Sequence, residues 1–284
     1  MRQALLRLAF VLLALWSMSA CTGIDGLQRR YIFQPTREIA GTPSDFGFDF
    51  VEQWLPVPRT TSGTRPERIN AWWIPGPAEN TCAILYLHGN GWNIGDSAYD
   101  TARLRRMGFA VLAIDYRGYG KSEGAFPSES QVYQDAQIGW DHLKSLQPDA
   151  RRRFVYGHSL GGAIAIDLAT KNADIAGLIV EGSFTSMADM AREVHGLNYL
   201  PMDWLLTQRF DSMAKMGSVK MPVLFIHGES DNVIPHSMSE RLHAAAQQPK
   251  SLLLVPGAGH SSVAVVAWDR YRAALKDFTG KLGC

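Results

Sequence analysis

Val155-Tyr156-Gly157-His158-Ser159-Leu160-Gly161-Gly162 has the form Gly-x-Ser-x-Gly and lies between two apolar runs of different length. Arg153-Phe154-Val155-Tyr156, entering it, reads as a short buried strand, and Ala163 to Ala169, leaving it, reads as a buried helix. A serine at such a strand-turn-helix junction is held in strained backbone with its hydroxyl exposed above a sheet. Gly157 and Gly161 are needed because any side chain there collides across the turn. The five-residue pattern alone arises by chance in about one chain in ten of this length, so its surroundings decide the reading.

Working outward, apolar runs of strand length alternate with longer amphipathic stretches, which predicts an α/β fold: a mostly parallel sheet flanked by helices. Upstream, Tyr31-Ile32-Phe33, Phe50 to Leu55 and Ile69 to Ile74 read as early strand or packing segments. Ala83 to Leu87 is a buried strand running into His88-Gly89-Asn90-Gly91, a turn able to aim backbone N–H groups at a developing oxyanion. The amides of Asn90 and Leu160 are the candidate donors. Phe109 to Ile114 is the next strand, and the glycines after it, Gly118 and Gly120, do not form a dinucleotide fingerprint. Asp115 and Arg117 therefore read as structural groups bracing the loop beside the elbow. Ser128 and Gln131 form a capping box for a helix with Val132, Ala136, Trp140 and Leu143 on its apolar face.

Downstream, Ala176 to Val180 is a strand ending at Glu181, and Pro222 to Ile226 another ending at His227-Gly228-Glu229-Ser230-Asp231. Between them Tyr199, Leu200, Met202, Trp204, Leu205 and Leu206 cluster, either as a small lid over an acyl pocket or as a helix face packed on the sheet. The last strand, Ser251 to Val255, leads through a glycine-rich loop to His260, and a closing helix follows with Ala267, Tyr271, Ala274 and Phe278 on one face. Of the eight histidines, His260 is the best placed to act as a base. Asp231, just past a strand end in a polar turn, is the acid chosen to orient it, with Glu229 and Glu181 as rivals. The resulting order is Ser159, Asp231, His260.

At the N-terminus, Arg2 and Arg7 precede the apolar run Leu8 to Trp16 and the small residues Ser17, Ser19 and Ala20. The run is too short for a comfortable membrane span of about 20 residues and reads as a secretory signal over 1–20. Met18-Ser19-Ala20-Cys21 resembles a bacterial lipobox, with Met where Leu is usual. That resemblance implies lipidation at Cys21, a short tether over 21–30, and a globular domain over 31–284 held at the periplasmic face of the cell envelope; an ordinary cleaved signal is the alternative. Without Arg2 and Arg7 the 28 basic residues become 26 against 27 acidic ones, a net charge of −1. No basic run or face appears, so nucleic acid is not an expected partner. The three cysteines carry no disulfide signal: Cys21 is taken by the lipid, Cys82 lies in an apolar strand pattern and reads as core, and Cys284 is the last residue. Neither Cys-x-x-Cys nor His-Glu-x-x-His occurs, so no metal site is expected.

Together, Leu87 to Asn90, Asp115 to Gly120, Gly157 to Gly161, His227 to Asp231 and Gly259-His260 make the chain, from about Phe50 onward, resemble the α/β-hydrolase superfamily. Within it the similarity is to a branch with a small or absent cap, which includes depalmitoylases and serine-aminopeptidase-like members. The resemblance implies Ser159, Asp231 and His260 as catalytic residues, an oxyanion hole at Asn90 and Leu160, no metal or organic cofactor, and an acyl ester, lipid or acylated substrate. The expectation is a serine esterase or thioesterase. The alternatives are a peptidase or amidase using the same groups, and a non-catalytic envelope lipoprotein that keeps the fold. Oligomeric state has no signal in the sequence.

Overall fold

The computed structural model describes residues 23–58 and 66–284; the expected signal segment over 1–20 and Cys21 lie outside the described residues. Its strands are β1 (Val51–Pro56), β2 (Arg68–Ile74), β3 (Ala83–Leu87), β4 (Ala110–Ile114), β5 (Arg153–His158), β6 (Gly177–Glu181), β7 (Val223–Gly228) and β8 (Lys250–Val255). The helices are α1 (23–32), α2 (Ala98–Arg106), α3 (Glu129–Leu146), α4 (Leu160–Lys171), α5 (Met187–Glu193), α6 (Met202–Leu205), α7 (Ser212–Met216), α8 (Ser237–Ala245), α9 (Val263–Val266) and α10 (Trp268–Gly280). The strands form one sheet in the order β1-β2-β4-β3-β5-β6-β7-β8. β2 runs antiparallel to both its neighbours, and every pairing from β4 through β8 is parallel.

Helices cover both faces, and strand periodicity divides the core accordingly. Leu85, Leu87, Val155, Val180 and Phe225 pack on one side against α3, α4, α7 and α8; Ile84, Tyr86, Tyr156, Ile179 and Ile226 pack on the other against α2, α9 and α10. Because β3, β4 and β7 are buried along their whole length, they read in sequence as unbroken apolar runs instead of alternating ones. Each Val, Leu or Ile so buried contributes about 1.5–3 kcal/mol relative to exposure. On α3, Ser128 and Gln131 make the reciprocal cap, with Ser128 N–H donating to Gln131 Oε1 at 3.0 Å, and Val132, Ala136, Trp140 and Leu143 are all buried. α10 buries Tyr271 and Phe278 as expected, together with Leu275; Ala274 is only half-buried and Ala267 precedes the helix.

Two expectations about the ends change. Residues 23–30 of the segment expected as a tether, and Tyr31-Ile32 of the segment expected as early strand or packing, are helix α1; Phe33, just beyond it, is fully buried. α1 is held against the body by Gln28, whose Nε2 donates to Leu205 O at 2.7 Å, and by Arg29, whose Nε donates to Pro127 O at 2.7 Å. Cys82 is buried but is not simply core, since it forms a disulfide with Cys284 across a sequence separation of 202 residues. The pairing was not readable because it depends on where α10 returns the chain: beside the start of β3, at the sheet edge opposite the strand ends that carry Ser159 and Asp231. Cross-linking a loop of this length removes chain entropy from the unfolded state. Cys284→Ser is expected to cost about 2–4 kcal/mol, read as a lower denaturation midpoint that coincides with that of reduced wild type.

Candidate active site

Every strand-end turn of interest opens on the same edge of the sheet, where open α/β sheets place their ligand sites. At the end of β5 the chain reverses into α4 through Ser159, whose backbone is left-handed at φ 56° and ψ −120°. Such a conformation costs a non-glycine residue about 1–3 kcal/mol. The neighbouring glycines make it possible: a Cβ on Gly157 would lie 2.2 Å from Gly161 O, and one on Gly161 would lie 2.0 Å from Leu87 O. The strained turn is pinned by Ser159 N–H, which donates to Glu181 O at 2.8 Å.

Three of the predicted residues meet above this turn. His260 Nε2 is 3.0 Å from Ser159 Oγ, and His260 Nδ1 is 2.7 Å from Asp231 Oδ2. The Asp231 side chain is fully buried and receives two further backbone bonds on its other oxygen, from Val233 N–H at 2.8 Å and Ile234 N–H at 2.9 Å. Burial opposes ionisation of this carboxyl. The bonds from His227, His260 and Ile234 outweigh that effect and hold it well below the usual carboxylate range.

His227 is the residue sequence reasoning passed over. Its Nε2 faces two acceptors, Asp231 Oδ2 and Ile234 O, each at 3.0 Å, so Nε2 carries the proton; Nδ1, 2.7 Å from Ser239 Oγ, then accepts from that hydroxyl. Asp231 thus has an imidazole on each side. The available signal was the four-residue spacing from His227 to Asp231 across Gly228, which folds the end of β7 back over its own turn.

The turn after β3 abuts the elbow. A Cβ on Gly89 would be 3.1 Å from Ser159 Cβ, so the turn that carries Asn90 packs directly on the elbow. The Asn90 side chain is fully engaged: its Oδ1 accepts from Gln34 N–H at 2.9 Å and Tyr119 Oη at 2.8 Å, and its Nδ2 donates to Ile32 O. The turn is therefore rigid, and the Asn90 amide is a backbone group on a braced loop. Leu160 opens α4, where first-turn N–H groups have no intrahelical partner. Asp115 and Arg117 brace the next loop as expected: Asp115 Oδ1 accepts from Ile94 N–H at 2.8 Å, and Arg117 Nε donates to buried Asp135 at 2.8 Å.

The rivals lie elsewhere. Glu181 points to the far face of the sheet, where it accepts from Tyr156 Oη in a buried group that includes Tyr271 and Arg103. Glu229 is exposed. Among the other histidines, His158 donates from Nε2 to His260 O at 3.2 Å and stacks on Trp92 at 5.6 Å, so it steadies the His260 loop. Burial lowers its pKa, and burial pushes that of His88 down to about 4, so both are neutral near pH 7. In the expected lid segment, Met202 is buried with Ala188 and Ala191, while Tyr199, Trp204 and Leu205 are exposed. The cluster is therefore not a helix face packed on the sheet; most of it faces outward.

Comparison with known proteins agrees with this architecture. The family described as serine aminopeptidase, S33 (Hydrolase_4) matches residues 78–215. An uncharacterized protein of Mycobacterium tuberculosis is 34% identical over 255 residues, covering 88% of this chain and 86% of the relative. Lysophosphatidylserine lipase ABHD12 of Danio rerio is 31% identical over 217 residues, covering 70% of this chain and 56% of the relative. The Pyrococcus furiosus esterase Pf2001 shares the fold with a TM-score of 0.69 at 20% identity, covering 87% of this chain and 98% of that one. A parallel sheet with its turns gathered on one edge, a family match across its centre and relatives along most of its length lead to one assignment: the chain belongs to the α/β-hydrolase superfamily and is a hydrolase.

Proposed function

We propose that the chain is a serine hydrolase that cleaves carboxylic ester or thioester bonds through an acyl-serine intermediate. The observation that carries this reading is the unbroken line from Asp231 through His260 to Ser159, at 2.7 and 3.0 Å. His260 Nε2 takes the Ser159 proton as Oγ attacks the substrate carbonyl, and Asp231 holds the tautomer and the developing imidazolium charge. The amides of Asn90 and Leu160 receive the oxyanion. His260 returns the proton to the leaving alcohol or thiol. Water, activated by the same imidazole, then releases the acid and restores Ser159.

The likeness to the Danio rerio lysophosphatidylserine lipase supports an ester substrate; the likeness to the serine aminopeptidase family keeps a peptidase as the second reading. A fluorophosphonate is expected to label the native protein, and an aryl ester to be turned over without comparable hydrolysis of a peptide amide bearing the same acyl group. Equal turnover of the amide would transfer the assignment to the peptidase. A protein left unlabelled would be a scaffold that keeps the fold. The reading extends to the cell envelope, with residues 1–20 as a lipoprotein-type signal and Cys21 as the lipidated end; the Cys82–Cys284 disulfide supports it, because such bonds persist in oxidising compartments.

A further inference from the structure

Helix α1 is amphipathic in the unusual sense. Asp25, Gln28 and Arg29 turn toward the body: Thr207 Oγ1 and Gln208 Nε2 donate to Asp25 Oδ1 at 2.7 and 2.8 Å, Thr207 N–H donates to Gln28 Oε1 at 2.7 Å, and Arg29 bonds Pro127 O. Ile24, Leu27 and Tyr31, at i, i+3 and i+7, form a separate stripe that faces outward, Leu27 and Tyr31 each 69% exposed. A surface helix of a water-soluble body ordinarily has these faces reversed. The Gln28 bond to Leu205 O joins this stripe to a second outward group, in which Tyr199 is 79% and Trp204 is 91% exposed.

We propose that Ile24, Leu27, Tyr31, Tyr199, Trp204 and Leu205 form a face that lies in the surface layer of a lipid bilayer. The N-terminal stretch that precedes the described residues points to this occupant. It ends at residue 22, one residue before α1, and includes the apolar run Leu8 to Trp16 and Cys21. Any hydrophobic attachment through that stretch joins the chain where the outward stripe begins. Trp and Tyr are the side chains that settle at the membrane–water boundary, and an outward apolar stripe is the means by which a helix lies in that boundary without crossing it. The face also adjoins the candidate site, because the far end of α1 is bonded to Asn90 through Ile32 O and Gln34 N–H. A docked body would hold the turn after β3 at the bilayer surface, where acyl substrates in the lipid phase can reach it. The docking inference does not depend on the serine chemistry.

The test uses the full chain reconstituted in phosphatidylethanolamine and phosphatidylglycerol vesicles, with Trp204→Phe as the reference. The wild-type minus Trp204→Phe emission reports Trp204 alone, and the residue is too exposed for its loss to disturb folding. Lipid brominated close to the head group is expected to remove about half or more of that component, while aqueous iodide leaves it largely intact. Replacing both Leu27 and Leu205 with Glu should restore iodide quenching, although the protein still floats with the vesicles through its N-terminal segment. Trp204 emission that iodide quenches and bromolipid does not would overturn the proposal, leaving a body that hangs clear of the bilayer. Protection that ignores bromolipid and rises with the protein-to-lipid ratio would also overturn it, in favour of a second copy of the chain as occupant.

Discussion

Ser159→Ala is expected to lower kcat on a short-chain aryl ester by a factor on the order of 10⁶ and to abolish fluorophosphonate labelling. The substitution removes Oγ, which lies 3.0 Å from His260 Nε2, and keeps the Cβ that already accommodates φ 56°. The backbone strain at the elbow is therefore the same in both proteins, and thermal stability should change by less than about 1 kcal/mol. The proposed oxyanion donors at Asn90 and Leu160 are backbone groups that the substitution leaves in place, so a residual acceleration over water of about 10³ to 10⁴ is expected. A variant that folds and keeps more than about a hundredth of wild-type kcat would remove Ser159 from the chemistry. Loss of activity together with loss of folding would not count in its favour, which is why the melting curve belongs with the assay.

The sheet was legible because its central strands are buried on both faces. β3, β4 and β7 show as apolar runs of strand length, and the turns between them are marked by glycines that the geometry demands, as at Gly157 and Gly161. Strand parity could also have separated the acids. Ile179 and Glu181 share a face of β6, the one that packs with Tyr156, so Glu181 was bound to point away from the elbow helix α4. What the sequence withheld depends on the path of the chain through space. The tether expected over 21–30 followed from the lipobox-like Cys21, and the outward direction of Ile24, Leu27 and Tyr31 on α1 is set by the body it packs on, not by the sequence. Cys82 and Cys284 are each unremarkable alone; only the return of α10 to the foot of β3 pairs them. His227 sits at the end of a strand, while its contact with Asp231 lies four residues on, beyond Gly228.

Asp231→Asn carries the second large effect, and the backbone decides its direction. The Oδ1 position faces the N–H groups of Val233 and Ile234, which cannot exchange donor for acceptor. The new amide must therefore place its oxygen there and its NH₂ at the Oδ2 position, between His227 and His260. His227 can still donate from Nε2 to Ile234 O, so it loses little. His260 has no such second acceptor on that side among the described residues; its Nδ1 can keep a partner only by accepting from the NH₂, which moves the ring proton to Nε2. Nε2 then donates toward Ser159 Oγ and cannot take its proton. The expected cost is about 10⁴ in kcat, from the wrong tautomer with the geometry intact. A stability measurement checks that the carboxylate is the group removed. Because the folded Asp231 pKa is held below its unfolded value, its contribution is present above about pH 4 and is lost as pH falls toward the folded value. Asparagine has no such dependence, so the stability gap between wild type and variant should narrow as pH drops below about 4. A variant that keeps more than about a tenth of wild-type kcat would mean that Asp231 does not set the His260 tautomer, however short the bond between them.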